Sequence, residues 1–508
     1  MYIRLAPFTP VTSTSRNIAR SAIWNHVGKV AEYALFYFSM IVVARGLGVE
    51  KNGHLAGLLS VVQLLIVLSS AGIEVSLNKY LPQAGGTNAG TRYLVVRLLL
   101  VRLGLYAAVC GLAMFVFPVV MPSRSKDWAD FLSLMIVLGL LRSAAPVLGM
   151  LLIARFRTPQ AATVGVLARS AELSALFFVG SAITIPVVLV ILVAGSAMQV
   201  AGYAITARAE WVGESRRISV VPVVTFGAVF WLNTIIDYFL GRQGDVMFLT
   251  FLRPESSSAS LYDVAYSIVQ VGTLALTAGF AGVSLAAMSQ FAVNDRARMN
   301  ALYGVVVRIT SLLTIPVLAF LIVVAPELLR LLYSDKYAGA VDVLRIILGL
   351  RIASRLFATG ENADYLLALG RVWRVVGIGM IAACATITMH FILIPRWGAT
   401  GAAWAGGVGV LLANVLGGLS VHRLGGVPLQ WRTWIRIMAA TLVAVVASLL
   451  IPHFAIPFLH IVLSAVAFFI VFALLTAAFR PLHREDMDTI RAVLRSLAGP
   501  LRIVSGSA

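Results

Sequence analysis

The chain has 508 residues, 60% of them hydrophobic and only 12% charged. Soluble domains run near ~45–50% apolar and ~25% charged, so a water-soluble globule is excluded, and so is a disordered chain, which needs low hydrophobicity. Forty Lys and Arg against 21 Asp and Glu leave a net charge of +19, an excess that suits nucleic acid, anionic lipid or an anionic substrate.

Residues 1–21 are polar, carry Arg4, Arg16 and Arg20, and show no cleavable-signal pattern. Beyond them, fourteen apolar segments are long enough to cross a hydrocarbon layer of ~30 Å. They are 23–45, 54–75, 98–121, 129–153, 160–180, 184–207, 221–251, 261–289, 301–325, 342–366, 373–394, 399–421, 437–455 and 456–479. The expected fold class is an all-α polytopic membrane protein of 14 transmembrane helices. With both termini cytoplasmic, the loops on that side hold 23 Lys and Arg and the opposite loops hold 8, as the positive-inside rule requires. Basic residues spread over short loops do not make a nucleic-acid surface.

An internal repeat organises these spans. Residues 22–50 lie over 227–255 without a gap, so Glu32 and Tyr33 fall on Asp237 and Tyr238, Leu47 on Leu252 and Glu50 on Glu255. After a two-residue insertion, Ser60–Gln63 falls on Ser267–Gln270. Spans 1–2 recur as spans 7–8 in the same orientation, a parallel repeat of two six-helix halves. The expected organisation is an N-terminal lobe at 1–207, a polar linker at 208–220, a C-terminal lobe at 221–422, two extra helices within 437–479, and a cytoplasmic tail at 480–508. In the tail, Met487, Ile490, Leu494 and Leu497 share one side, as in an interfacial amphipathic helix. The motif GRQGD (241–245) reads as a break in span 7, but the gapless repeat favours a continuous helix through it.

Candidate functional residues are charges in the wrong solvent. An ionisable group in hydrocarbon costs on the order of ~3 kcal/mol unless it meets a partner or a cavity. Nine cations lie within spans: Lys29, Arg102, Arg142, Arg169, Arg242, Arg308, Arg345, Arg351 and Arg355. Arg102, Arg308, Arg345 and Glu361 stand near span ends, where long side chains reach the interface. His26, Lys29 and Glu32 share a helix face, and Lys29 can pair with Glu32; Arg169 and Glu172 have the same spacing. Arg142 has no acid within a turn, so it needs a partner elsewhere or water. Asp237, Gly241 and Asp245 make one stripe beside Arg242. Arg351 and Arg355 are one turn apart, so an anion should lie opposite, or Asp364 or Asp245 should pair with them. Gly409, Ala413 and Gly417 read as helix packing, and Asn414 beside them can hydrogen-bond across helices. Cys110 and Cys384 sit in apolar runs as small core residues. There is no P-loop, HExxH or CxxC motif, and no metal or cofactor site is expected.

Three stretches carry a family resemblance. ARGLGVEKNGHLAGLLSVVQLL (44–65) followed by SLNKYLPQ (76–83) resembles the first hairpin of bacterial polysaccharide-export flippases, including their "RYLP"-like end. FLRPESSSASLYDVAYSIVQ (251–270) is similar to the equivalent turn of the second half, with Arg253 where Gly is common. LLYSDKYAGAVDVLRIILGL (331–350), LLALGRVWRVVGIG (366–379) and LIPRWGATGAAWA (393–405) resemble the C-terminal lobe. This family of O-antigen-type flippases belongs to the multidrug/oligosaccharidyl-lipid/polysaccharide exporter superfamily. The resemblance implies two six-helix bundles around a central cavity, in the bacterial cytoplasmic membrane. It implies a transporter, not an enzyme, that moves an undecaprenyl-pyrophosphate-linked oligosaccharide outward by alternating access. A lipid II flippase and a multidrug exporter of the superfamily are the alternatives. The implied cavity cations are assigned here to Lys29, Arg142, Arg242, Arg351 and Arg355. His26, Glu32, Asp237, Asp245 and Asp364 are left to H⁺ or Na⁺ coupling or to charge balance. The implied partners are the lipid-linked substrate, membrane lipids and the polysaccharide polymerase and export machinery, with a monomer as the working unit.

Overall fold

The computed structural model describes residues 12–77, 88–120, 128–155, 157–208, 221–253, 256–277, 283–452, 454 and 456–479. The amphipathic tail, the linker from 209 on, Lys79–Pro82 and the side chain of His26 lie outside the described residues. Among those described there is no strand. The reason is the solvent: hydrocarbon offers no hydrogen bonds, and a helix satisfies its own backbone.

Among the described residues, the first half contains the long helices α1 (Thr12–Leu68), α2 (Asn88–Val120), α3 (Leu132–Ala154), α4 (Thr158–Val179) and α5 (Ile185–Thr206). The second half contains α6 (Val221–Phe239), α7 (Arg242–Leu252), α8 (Ser256–Thr277), α9 (Val283–Asn294), α10 (Arg296–Val323), α11 (Ala325–Tyr333), α12 (Ala340–Arg355), α13 (Gly360–Ala368) and α14 (Val372–Gly425). Two further helices follow, α15 (Trp431–Leu449) and α16 (Pro457–Phe479). Nine of the described helices are long and apolar enough to cross a membrane. Two of these are double: Gly48 (φ 75°) divides α1 and Gly398 (φ 56°) divides α14, at backbone angles that a Cβ would strain.

Two expected spans are interrupted. Span 7 breaks at Gly241, whose extended backbone starts α7, so GRQGD is a break and not part of one continuous helix. Span 10 breaks between Arg355 and Gly360. The repeat survives in the turns: α1 divides at Gly48, and α7 ends at Arg253, the matching position. There the Arg253 guanidinium takes over, donating to the carbonyls of Ile394 (3.3 Å) and Pro395 (3.0 Å) beside the α14 break.

α1 packs on α4 on one side and on α7 and α8 on the other, so it belongs to both cores. Val43, Leu58, Tyr106, Leu138 and Leu189 fill the first core. Ala44, Ala56 and Val67 join Val246, Leu249, Tyr262 and Leu344 in the second. Hydrogen bonds follow the same seam. Tyr337 Oη donates to the Ala44 carbonyl (2.8 Å), Asn52 to Ser260 (2.8 Å), Tyr238 Oη to the Ser60 carbonyl (3.0 Å) and Trp231 Nε1 to the Val67 carbonyl (2.9 Å). The first half of α1 differs: Lys29, Val30 and Tyr33 are exposed. α15 and α16 pack against α10 through Phe320, Ala444 and Phe468.

Candidate functional site

Three places stand out for their charged or polar side chains. The first is inside the N-terminal half. On α1, Lys29 Nζ lies 2.9 Å from Glu32 Oε2, one turn away. The other Glu32 oxygen accepts from Gln199 of α5 (3.2 Å), which also donates to Tyr203. On α4, Arg169 pairs with Glu172 at 2.6 Å and lies over the Phe36 ring. Glu172 is 2% exposed, and Gly195 of α5 makes room for it, since a Cβ there would stand 2.2 Å from its Oε1. Arg142 reaches in from α3, and the Arg169–Glu172 pair is its charged neighbourhood. Its Nε and Nη2 are buried without a hydrogen-bond partner. Lys29 and Arg169 thus take the two carboxylates, and Arg142 has no acid within 4.0 Å among the described residues. Replacing Gly195 with Ala should push Glu172 off Arg169 and cost about 1–3 kcal/mol, as overpacking does. An unchanged thermal unfolding midpoint in detergent would show that the carboxylate swings clear at no cost.

The second cluster lies on the seam. Arg242, the first residue of α7, pairs with Asp263 of α8 at 2.6 Å, and Tyr37 of α1 is their neighbour. Arg351 of α12 donates to Tyr266 Oη (2.6 Å) and stands 5.6 Å over that ring. Among the described residues no acid comes within 4.0 Å of it. Sequence reading missed Asp263, Tyr266, Gln199 and Tyr203. Asp263 stands two residues inside the drawn start of span 8, where an acid passes for an interfacial one.

The third place is a cavity of about 360 Å³ between α6, α13 and α14. Asp237, Asn233, Asn362 and Asn414 line it. Asn233 donates to Asp237 (2.9 Å), and the carboxylate has no cation within 4.0 Å among the described residues. The backbone carbonyl of Asn414 accepts from the Asn362 side chain (3.3 Å).

Several expectations need correction. Arg355 does not stand beside Arg351 facing an anion. It is 2% exposed, and its guanidinium is taken by Glu361 (2.7 Å), Ser311, Thr310 and Thr359. Asp364 accepts from Ser284, and Asp245 meets His390 and Tyr262; neither pairs with Arg351 or Arg355. Glu361, Arg102 and Arg308 are buried in the protein, being 7%, 1% and 8% exposed. Arg102 bridges Glu74 (3.3 Å) and Ser69 (3.1 Å), and Arg308 donates to Gln430 (3.1 Å). In each case a local hydrogen-bonding partner offsets the burial cost that sequence spacing left open. Cys384 is exposed, whereas Cys110 is buried.

The sequence model of a family described as "Polysaccharide biosynthesis protein" matches residues 42–342. The chain belongs to the polysaccharide biosynthesis protein family. No curated relative matches it. Among solved structures, this polysaccharide biosynthesis protein is similar to the lipid II flippase MurJ in an inward closed conformation. They share 12% identity and a TM-score of 0.66, over 90% of this chain and 98% of that one. It is also similar to an inward-facing multidrug resistance MATE family transporter of the MOP superfamily (14% identity, TM-score 0.61, 80% and 95% covered). A third is a MOP superfamily transporter from Pyrococcus furiosus, described as having a binding pocket of reverse polarity (14%, 0.55, 83% and 96%). At such identities the likeness establishes the fold alone, that of a multi-pass helical membrane protein.

Proposed function

We propose that the protein moves an undecaprenyl-pyrophosphate-linked oligosaccharide from the cytoplasmic to the outer leaflet of a bacterial inner membrane by alternating access. The observation that carries this reading is the imbalance of charge inside the bundle. Among the described residues, Arg142 keeps two buried guanidinium nitrogens without a partner beside two further cations and two carboxylates, and Arg351 meets a tyrosine and no acid. Buried donors without acceptors are costly, and guanidinium groups bind phosphate bidentately. A pyrophosphate head would supply the missing acceptors while its lipid tail stays in the bilayer. Family membership and the fold support the same substrate class. Lys29 and Arg242, each already paired with an acid, would then add field more than direct contact. Asp237 in its amide-lined cavity suits a coupling Na⁺ or H⁺, the role left open for it, Glu32 and His26.

The reading makes transport, and not bond making, the activity, with both termini cytoplasmic. Deleting the gene and extracting the lipids should show one lipid-linked oligosaccharide accumulating on the cytoplasmic leaflet. Unchanged lipid-linked pools together with normal surface polysaccharide would overturn the assignment.

A further inference from the structure

Asp245, His390 and Tyr262 form a polar centre to which the anion sites assign no role. Each comes from a different helix. The break at Gly241 puts Asp245 in the first turn of α7, where the helix dipole favours a carboxylate. His390 comes from the first half of α14 and Tyr262 from α8. Their exposures are 1%, 0% and 1%. Asp245 Oδ1 and His390 Nε2 are 2.9 Å apart, a close approach outside hydrogen-bond alignment. Tyr262 Oη donates to the other carboxylate oxygen. His390 Nδ1 has no hydrogen-bond partner, and Phe248 stacks on the ring at 4.8 Å between centroids. The backbone of Gly406 closes the remaining side, since a Cβ there would come within 2.8 Å of the carboxylate.

The charged and titratable surroundings are few. On α7, Arg242 is occupied by Asp263 of α8. α6 contributes Tyr238, which donates to the Ser60 carbonyl, and Asp237, which faces its own cavity. α1 contributes Tyr37, next to Arg242 and Asp263. α14 contributes His390 itself. On the far side of Tyr262 stands Tyr266, with ring centroids 5.9 Å apart, and Arg351 of α12 bonds Tyr266. Among the described residues, His390 is the only potential cation within 4.0 Å of Asp245.

A proton on the Asp245 carboxyl, with a neutral imidazole beside it, makes the centre neutral. Without it, a carboxylate that accepts from Tyr262 but faces no fixed cation among the described residues remains in a low-dielectric interior, at a cost. We propose that Asp245 and His390 form a proton-binding site whose occupancy is linked, through Tyr262 and Tyr266, to anion binding at Arg351. The linkage rests on the anion site proposed above. Losing the proton places negative charge behind Arg351, where it competes with an incoming anion. Keeping the proton leaves the field of Arg351 to the ligand. Reciprocity then requires a bound anion to strengthen proton binding by the same factor.

Infrared difference spectroscopy of the full-length protein in liposomes tests both halves. A carboxylic-acid C=O band should titrate with pH, vanish in Asp245→Asn, and move in His390→Gln and Tyr262→Phe, which keep the carboxyl group if the first variant fails to fold. Inorganic pyrophosphate should raise the midpoint by about one pH unit, a tenfold coupling, and Arg351→Gln should abolish that rise while keeping the band. A band untouched by all three substitutions overturns the proton site. Pyrophosphate binding with an unmoved midpoint overturns the linkage. No pyrophosphate binding sinks the anion site and the linkage with it, while the band still decides the proton site.

Discussion

Replacing Arg142 with Gln, or Arg351 with Gln, should cut transport at least tenfold without lowering membrane abundance. Neither guanidinium neutralises an acid among the described residues within 4.0 Å, so removing either strands no carboxylate. Arg142 gives the sharper case. Its buried, unpartnered nitrogens cost folding energy now, so Arg142→Gln should hold or raise the thermal unfolding midpoint while weakening pyrophosphate binding. Loss of a charged contact to a ligand typically costs about 2–5 kcal/mol, which is a tenfold loss or more in affinity. Surface polysaccharide output, membrane abundance and the unfolding midpoint of purified protein measure the three effects. Normal polysaccharide in the Arg142→Gln, Arg351→Gln double variant would remove both residues from the site.

Arg355→Gln should behave in the opposite way, destabilising the protein by about 3–5 kcal/mol, because it leaves Glu361 buried without its cation. The pair is 2% and 7% exposed and ties α12 to α13, with Thr310 and Ser311 of α10 closing the network. Glu361→Gln should cost a similar amount, and the double variant Arg355→Met, Glu361→Leu should recover much of it, since a packed apolar pair avoids the desolvation penalty. Transport per folded molecule should stay near normal in that double variant. An unfolding midpoint unchanged by Arg355→Gln would show that the ion pair does not hold this junction.

These opposite expectations for two arginines one turn apart show where sequence reading reached its limit. Spacing placed Arg351 and Arg355 one turn apart, and both lie in α12. It offered Asp364 or Asp245 as partners, but the acid that takes Arg355 is Glu361, across a break in span 10 that a hydropathy pattern does not show. Local pairs were more legible. Lys29 with Glu32 and Arg169 with Glu172 follow from helical geometry alone, and the structure contains both.

The sequence by itself determined the solvent, the helical class and the family. Those properties rest on sums over many residues: 60% hydrophobic composition, long apolar runs, and stretches such as 44–83 that resemble the family. Only the tertiary structure decided which buried charges are satisfied. Satisfaction depends on contacts of a few ångströms between helices far apart in sequence. Arg242 finds Asp263, Asp245 finds His390 some 145 positions away, and two nitrogens of Arg142 find no partner among the described residues. The interruption at Gly241 has the same origin. A gapless repeat argued for a straight helix, but the break starts α7 there and places Asp245 beside His390 and Tyr262, which no periodicity encodes.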